Sequence, residues 1–302
     1  MADSPVRTPV RTIEPPREVA VSAGLARALL ADQHPDLADL PIVHIEDGWD
    51  NVMFRLGGDL ALRMPRRRAG GALIVVEQTW LPRIAPRLPL LTPTPVRIGA
   101  PGHGYPFGWS VVPWLDGAPS DLAPPDAEQG EALAGFLAAL HQPAPADAPH
   151  NIYRGSIALA QRAETFVLRH GEAERMHGAL DPALRHCWEA GVAAPIDAPR
   201  SWFHGDLHGR NVLVKDGRLA GVIDWGDMAA GDAACDLAAV WMLLPQVEAR
   251  RRAMAAYPAS DATWARARGW AALMTTLLLA ITNNPRMPAM GKRMMRWLAE
   301  GP

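Results

Sequence analysis

The 302-residue sequence holds only two cysteines, Cys187 and Cys235, far apart and in apolar surroundings. That scarcity excludes a disulfide framework and leads us to expect a cytoplasmic protein with reduced core thiols. Long hydrophobic runs are missing as well. The apolar stretch Ala271–Ile281 is too short to cross a bilayer and reads as a buried helix. Charge of one sign is also lacking: 30 Lys and Arg against 32 Asp and Glu leave a formal net charge of −2. Neither a nucleic acid nor a membrane surface is expected as a partner on that balance, and the sequence names no protein partner. The opening MADSPVRTPVRTIEPPREVA has no apolar h-region, so no signal peptide is expected. There is no internal repeat.

What is present is ordinary globular material, 49% apolar and 21% charged, long enough for one large domain or two lobes. Residues 1–17, rich in Pro, Arg and Thr, read as a mobile tail. A helix over Ser22–Gln33 is followed by strands at Ile42–Ile45, Val52–Leu56 and Leu60–Met64. A helix over Ala72–Ala85, a proline-rich extended stretch Leu88–Arg97 and a strand Trp109–Trp114 come next. Beyond that the pattern turns helical: Glu128–His141, Ile157–Arg175, Pro182–Ala190, Leu237–Leu244, Gln246–Tyr257, Asp261–Ile281 and Ala289–Glu300.

Chemistry concentrates in one stretch, Phe203–Asp236, FHGDLHGRNVLVKDGRLAGVIDWGDMAAGDAACD. Val212–Val214 and Leu219–Ile223 read as a hairpin joined by Lys215-Asp216-Gly217-Arg218. Asp206 and Asn211 then lie on the loop before it, and Asp224 at its end. Phosphoryl transfer calls for such a set: a carboxylate to take the proton of an attacking hydroxyl, and oxygen ligands for Mg²⁺. Two other readings stay open on the residues alone. His204, Asp206 and His208 could be ligands of a metallohydrolase, or the fold could bind nucleotide without turnover.

HGDLHGRN followed by VIDWGD resembles the aminoglycoside phosphotransferase family, which includes macrolide and other small-molecule kinases. The resemblance implies an α+β, bilobal, protein-kinase-like fold. A nucleotide-binding lobe would span 18–112, a hinge 113–117, and a helical lobe with the acceptor pocket 118–302. It implies Asp206 as catalytic base, Asn211 and Asp224 as Mg²⁺ ligands, and ATP or GTP as donor. It also implies that the loop around Gly48 and Asn51 covers the phosphates, that Arg63 holds phosphate where the general kinase pattern has lysine, and that Glu77 pairs with Arg63. The adenine would meet the backbone near Trp114 or Leu115, since Pro113 has no N–H. His208 and Asp227 are candidate acceptor contacts, Asp232 is expected to brace the catalytic loop, and Asp236 either braces it or sits at a helix N-terminus. His141 and His204 are expected to be structural.

The short segment after Asp224 lacks a platform for a protein substrate, so a small hydroxylated acceptor is expected, possible examples being aminoglycoside or macrolide antibiotics. From Leu237 onward Arg250, Arg251, Arg252, Arg266, Arg268, Arg286, Lys292, Arg293 and Arg296 face only Glu248, Asp261 and Glu300. That is an unusual balance for a polycation's pocket.

Overall fold

A computed structural model describes residues 16–301; the expected tail lies, but for its last two residues, outside them. Arg17 is tied down by an ion pair with Asp47, and the N–H groups of Glu18 and Val19 donate to the Arg66 carbonyl. Helix α1 (Ala23–Gln33) starts at Ser22, whose hydroxyl accepts the Leu25 N–H, an N-cap. Five strands follow in an antiparallel sheet of order β1-β2-β3-β5-β4: β1 (Ile42–Asp47), β2 (Asn51–Leu56), β3 (Leu60–Pro65), β4 (Arg97–Gly99) and β5 (Trp109–Pro113). Strand alternation sends Val52, Phe54, Leu62 and Met64 into a core closed by Leu29 and Leu30 of α1, and turns Arg63 to the other face.

On that face lies α2 (Arg68–Ile84), which begins four residues earlier than its sequence pattern suggests. Gly70 and Gly71 sit inside its first turn because side chains would not fit. A Cβ on Gly70 would come within 2.6 Å of the Asp50 carbonyl, and one on Gly71 within 2.7 Å of Phe107. The far end of α2 joins the second core: Leu81 and Ile84 pack there, and Trp80 meets Trp202 at 5.1 Å between ring centroids.

The remainder is mostly helical. Strand β6 (Ala118–Pro119) precedes α3 (Gln129–Leu140), α4 (Ala163–His177) and α5 (Pro182–Ala193). A ribbon pairs β7 (Ser201–Phe203) with β10 (Ala229–Gly231), and a sheet of order β6-β8-β9 holds the hairpin β8 (Val212–Lys215) and β9 (Arg218–Val222). The stretch expected as one helix from Leu237 is two short ones, α6 (Ala234–Leu237) and α7 (Ala239–Leu243), followed by α8 (Val247–Ala256). The central helix α9 (Asp261–Leu279) is buried on nearly every face and packs against α4, α5, α6 and α10 (Arg286–Glu300). Both cysteines are free and buried. Among the described residues, no helix is long and apolar enough to cross a membrane.

Candidate active site

Two antiparallel pairs hold the motif loop. It leaves β7 at Phe203, enters β8 at Val212, and is overlain by β10, which pairs with β7. Gly205 has φ +88°, a left-handed conformation, and a Cβ there would press on the Asp227 carbonyl at 3.1 Å. Asp236, almost wholly buried in α6, accepts the N–H groups of His204 at 2.6 Å and Gly205 at 2.7 Å. Asp236 therefore braces the loop. Asp232, expected in that role, instead holds its own turn and pairs with Arg266 at 2.7 Å, where burial in the helical core demands a counter-charge.

His204 is fully buried and both its ring nitrogens are engaged. Nδ1 accepts from the Asp206 N–H at 3.2 Å and Nε2–H donates to the Ile223 carbonyl at 3.1 Å, which fixes the tautomer. The metallohydrolase alternative loses its first ligand by this count. Trp225 seals the back of the loop, edge-on to His204 at 4.7 Å with its indole N–H on the Val222 carbonyl. His141 ends α3 buried, its Nδ1 2.8 Å from the Tyr257 hydroxyl and its Nε2 3.4 Å from Asp236.

Asp206 faces the cleft with each oxygen assigned. The Asn211 amide donates to Oδ2 at 3.1 Å and to the Asp206 carbonyl at 2.9 Å, leaving the Asn211 side-chain oxygen uncommitted. His208 Nε2 lies 3.5 Å from the same Oδ2, so His208 flanks the carboxylate. Ile223 donates to the Asn211 carbonyl at 2.9 Å, which sets Asp224 beside Asn211. Asp224 adopts φ 63° and keeps half of its side chain in solvent. Burial of the site opposes its ionisation, but the Arg63 guanidinium overcomes that and holds the carboxyl below the usual range.

Arg63 is buried, ion-paired to Asp224 and 3.4 Å from fully buried Glu77. Burial would discharge the guanidinium, yet Glu77 and Asp224 hold its pKa above normal. Burial pushes the Glu77 carboxyl up, partly offset by Arg63. The loop at Gly48 closes on itself and on the arginines after β3. The Gly48 N–H donates to the Asn51 carbonyl at 2.7 Å, Arg66 donates to the Gly48 carbonyl at 3.0 Å, and Arg67 pairs with Asp50 at 2.6 Å. Arg66 is thus buried. Asn51 opens β2 with its side-chain oxygen buried. At the far end of the cleft the Trp114 N–H is already donated to the Asp59 carbonyl at 2.8 Å, and Arg55 stacks on its ring at 4.1 Å. Trp114 is thereby removed as a backbone donor to a base, and Leu115 is left.

Arg154 is a neighbour of the motif acids that went unread in the sequence. Arg154 sits between Asp206 and Asp227, 3.1 Å and 2.8 Å from their carboxylates. Desolvation works against its charge, but Asp227 and Asp206 keep its pKa above normal. Its loop is stitched in place: Asn151 donates to Asp227 at 2.8 Å, Ser156 to the Ala230 carbonyl at 2.9 Å, and Asp232 to the Gly155 carbonyl at 2.8 Å. Nothing in that loop has a period or a motif, so only the fold reveals it.

A model of the phosphotransferase enzyme family matches residues 41–270. Viomycin phosphotransferase of Streptomyces vinaceus is 40% identical over 102 residues, 31% of either chain. Thiamine kinase of Shigella boydii is 32% identical over 152 residues, 50% of either. The chain thus spans about a third to a half of the length of these curated relatives. Among solved structures, the GDP complex of aminoglycoside 2'-phosphotransferase-IIIa superposes with a TM-score of 0.64 at 18% identity, covering 91% of this chain and 98% of that one. The macrolide 2'-phosphotransferase of Brachybacterium faecium gives 0.56 at 23%, covering 89% and 97%. At these identities the superpositions speak for the fold, which is α+β and protein-kinase-like.

Proposed function

The chain belongs to the phosphotransferase enzyme family, and from that premise we propose that it moves the terminal phosphoryl group of ATP or GTP to a hydroxyl of a small molecule. The observation that carries this reading is the gathering of Asp206, Asn211 and Asp224 at one end of a hairpin, with Arg63 reaching Asp224 from the opposite sheet. In the reaction the acceptor oxygen bonds to the γ-phosphorus, the bond from that phosphorus to the bridging oxygen breaks, and ADP or GDP leaves. The hydroxyl proton passes to Asp206, whose Oδ2 is aimed by the Asn211 amide. Arg63, held charged by Glu77, offers its guanidinium to phosphate in bidentate fashion. The Gly48 loop and Asn51 lie over the phosphates, and the Leu115 N–H meets the base at a hinge spanning 113–117.

The Asn211 side-chain oxygen and the Asp224 carboxylate are hard oxygen donors at the cleft and fit Mg²⁺, which they would hold. When bound, the ion neutralises charge developing on the transferred phosphate. Asp227 borders the acceptor side of Asp206 through Arg154, while His208 acts on the carboxylate's flank. The kinds of acceptor named for relatives, viomycin, thiamine, aminoglycosides and macrolides, set the range to search.

The test is ATP and GTP consumption with Mg²⁺ across hydroxylated acceptors, in wild type and in Asp206→Ala. Acceptor-dependent ADP or GDP release is expected, falling about 10²–10⁴-fold in the variant with nucleotide affinity near its wild-type value. Loss of nucleotide binding in Asp206→Ala would contradict the assigned role. Failure of wild type to bind either Mg-nucleotide would defeat the reading as a whole.

A further inference from the structure

Five carboxylates lie on or near the motif loop, and each is matched by a guanidinium. Asp50 pairs with Arg67, Asp224 with Arg63, Asp206 and Asp227 with Arg154, and Asp121 with Arg286. Asp121 belongs to the site because its N–H donates to the Gly209 carbonyl inside the motif loop, and Arg286 grips both its oxygens at 2.6 and 2.8 Å. A ligand carrying several ammonium groups needs carboxylates free to receive them, since a cation taken out of water must be paired. Here it would have to displace internal arginines first.

Resting on the phosphotransferase reading, the geometry points to Arg154 as a charge filter: it closes the Asp206–Asp227 pair to polycations and selects a neutral or anionic hydroxylated acceptor. Asp206 lies next to the transferred proton, so the group beside it is what an acceptor hydroxyl meets. One terminal nitrogen of the guanidinium bridges both carboxylates, so the group is held between them by charge. Its planar fork suits hydroxyl, carboxylate or phosphate oxygens and repels an ammonium. The arginine excess in the last helices reinforces that sign at Asp121, where Arg293 also donates to the backbone carbonyl at 3.2 Å.

The test titrates kanamycin, a polycation, into wild type, Arg154→Ser and Arg154→Lys at low and raised ionic strength. Wild type and Arg154→Lys should bind it weakly, whereas Arg154→Ser, with two carboxylates uncovered, should bind at least ~10-fold tighter and lose that gain in salt. Equal affinity in wild type and Arg154→Ser would overturn the filter. A second measurement needs no variant: acceptor-dependent ADP or GDP release by wild type with aminoglycosides, neutral sugars, sugar acids and sugar phosphates. Turnover confined to neutral or anionic acceptors supports the proposal, and turnover on a polycation refutes it. Failure of the phosphotransferase reading looks different, because Mg–ATP and Mg–GTP would then not bind while the kanamycin contrast stayed readable.

Discussion

Under the proposed function, the Arg63–Glu77 ion pair would serve both folding and chemistry. Each partner is buried, so removing Arg63 leaves the Glu77 carboxylate without a counter-charge in low dielectric. Arg63→Ala should lower the unfolding free energy by about 3–5 kcal/mol, measured by denaturant titration. Much of that loss should return in Arg63→Ala/Glu77→Leu, while nucleotide affinity should not. Asp236 offers a second case. Its carboxylate receives two N–H groups of the motif loop, and Asp236→Ala orphans both at about 1–3 kcal/mol each. Stability and turnover should fall together there, and hydrogen exchange at His204 and Gly205 should rise first. The motif acids and Asn211 were legible in the sequence because their types and spacing are tied to a loop before a hairpin. Arg154 was not, since an arginine's partner depends on which distant loop packs beside it. That Asp236, for which bracing was one of two readings, holds the loop while Asp232 does not was hidden for the same reason: four residues apart in the chain, only the packed helices decide which faces the loop.

Among elements, the long and periodic ones were readable and the two- and three-residue strands were not. β4, β6, β7 and β10 are too short to show alternation and exist only through their partners. α2 began earlier than its pattern because Gly70 and Gly71, usually breakers, serve close approach to Asp50 and Phe107. A similar constraint fixes the loop carrying Arg154. A Cβ on Gly155 would come within 2.6 Å of the Asp232 carbonyl, so Gly155→Ala should cost about 1–3 kcal/mol and move Arg154 off Asp206. A thermal melt alongside the kanamycin titration would register both. The link from the segment after α5 to the start of α9 should be acid-sensitive. The Ser260 and Thr263 hydroxyls and Arg266 hold the Asp197 pKa at about 2, against a normal 3.8. A depressed carboxyl contributes stability fully above its unfolded value and loses it as pH falls through the folded one. Melting temperatures should therefore drop between pH 4 and 2 in wild type and less steeply in Asp197→Asn.

For the molecule as a whole, the polar contacts that join the sheet-bearing and helical parts include Arg63–Asp224 and Arg210–Glu46, the latter 3.4 Å apart. Arg63 cannot serve Asp224 and a phosphate equally well. An anion that draws the guanidinium away leaves the Asp224 carboxylate richer in free lone pairs, and a cation bound at Asp224 releases the guanidinium in turn. The two ligands should therefore be mutually cooperative: nucleotide strengthens Mg²⁺ binding by the factor that Mg²⁺ strengthens nucleotide binding, typically about 5–150-fold. Under the proposed function, a single arginine would make the site favour the metal–nucleotide complex over either half of it alone.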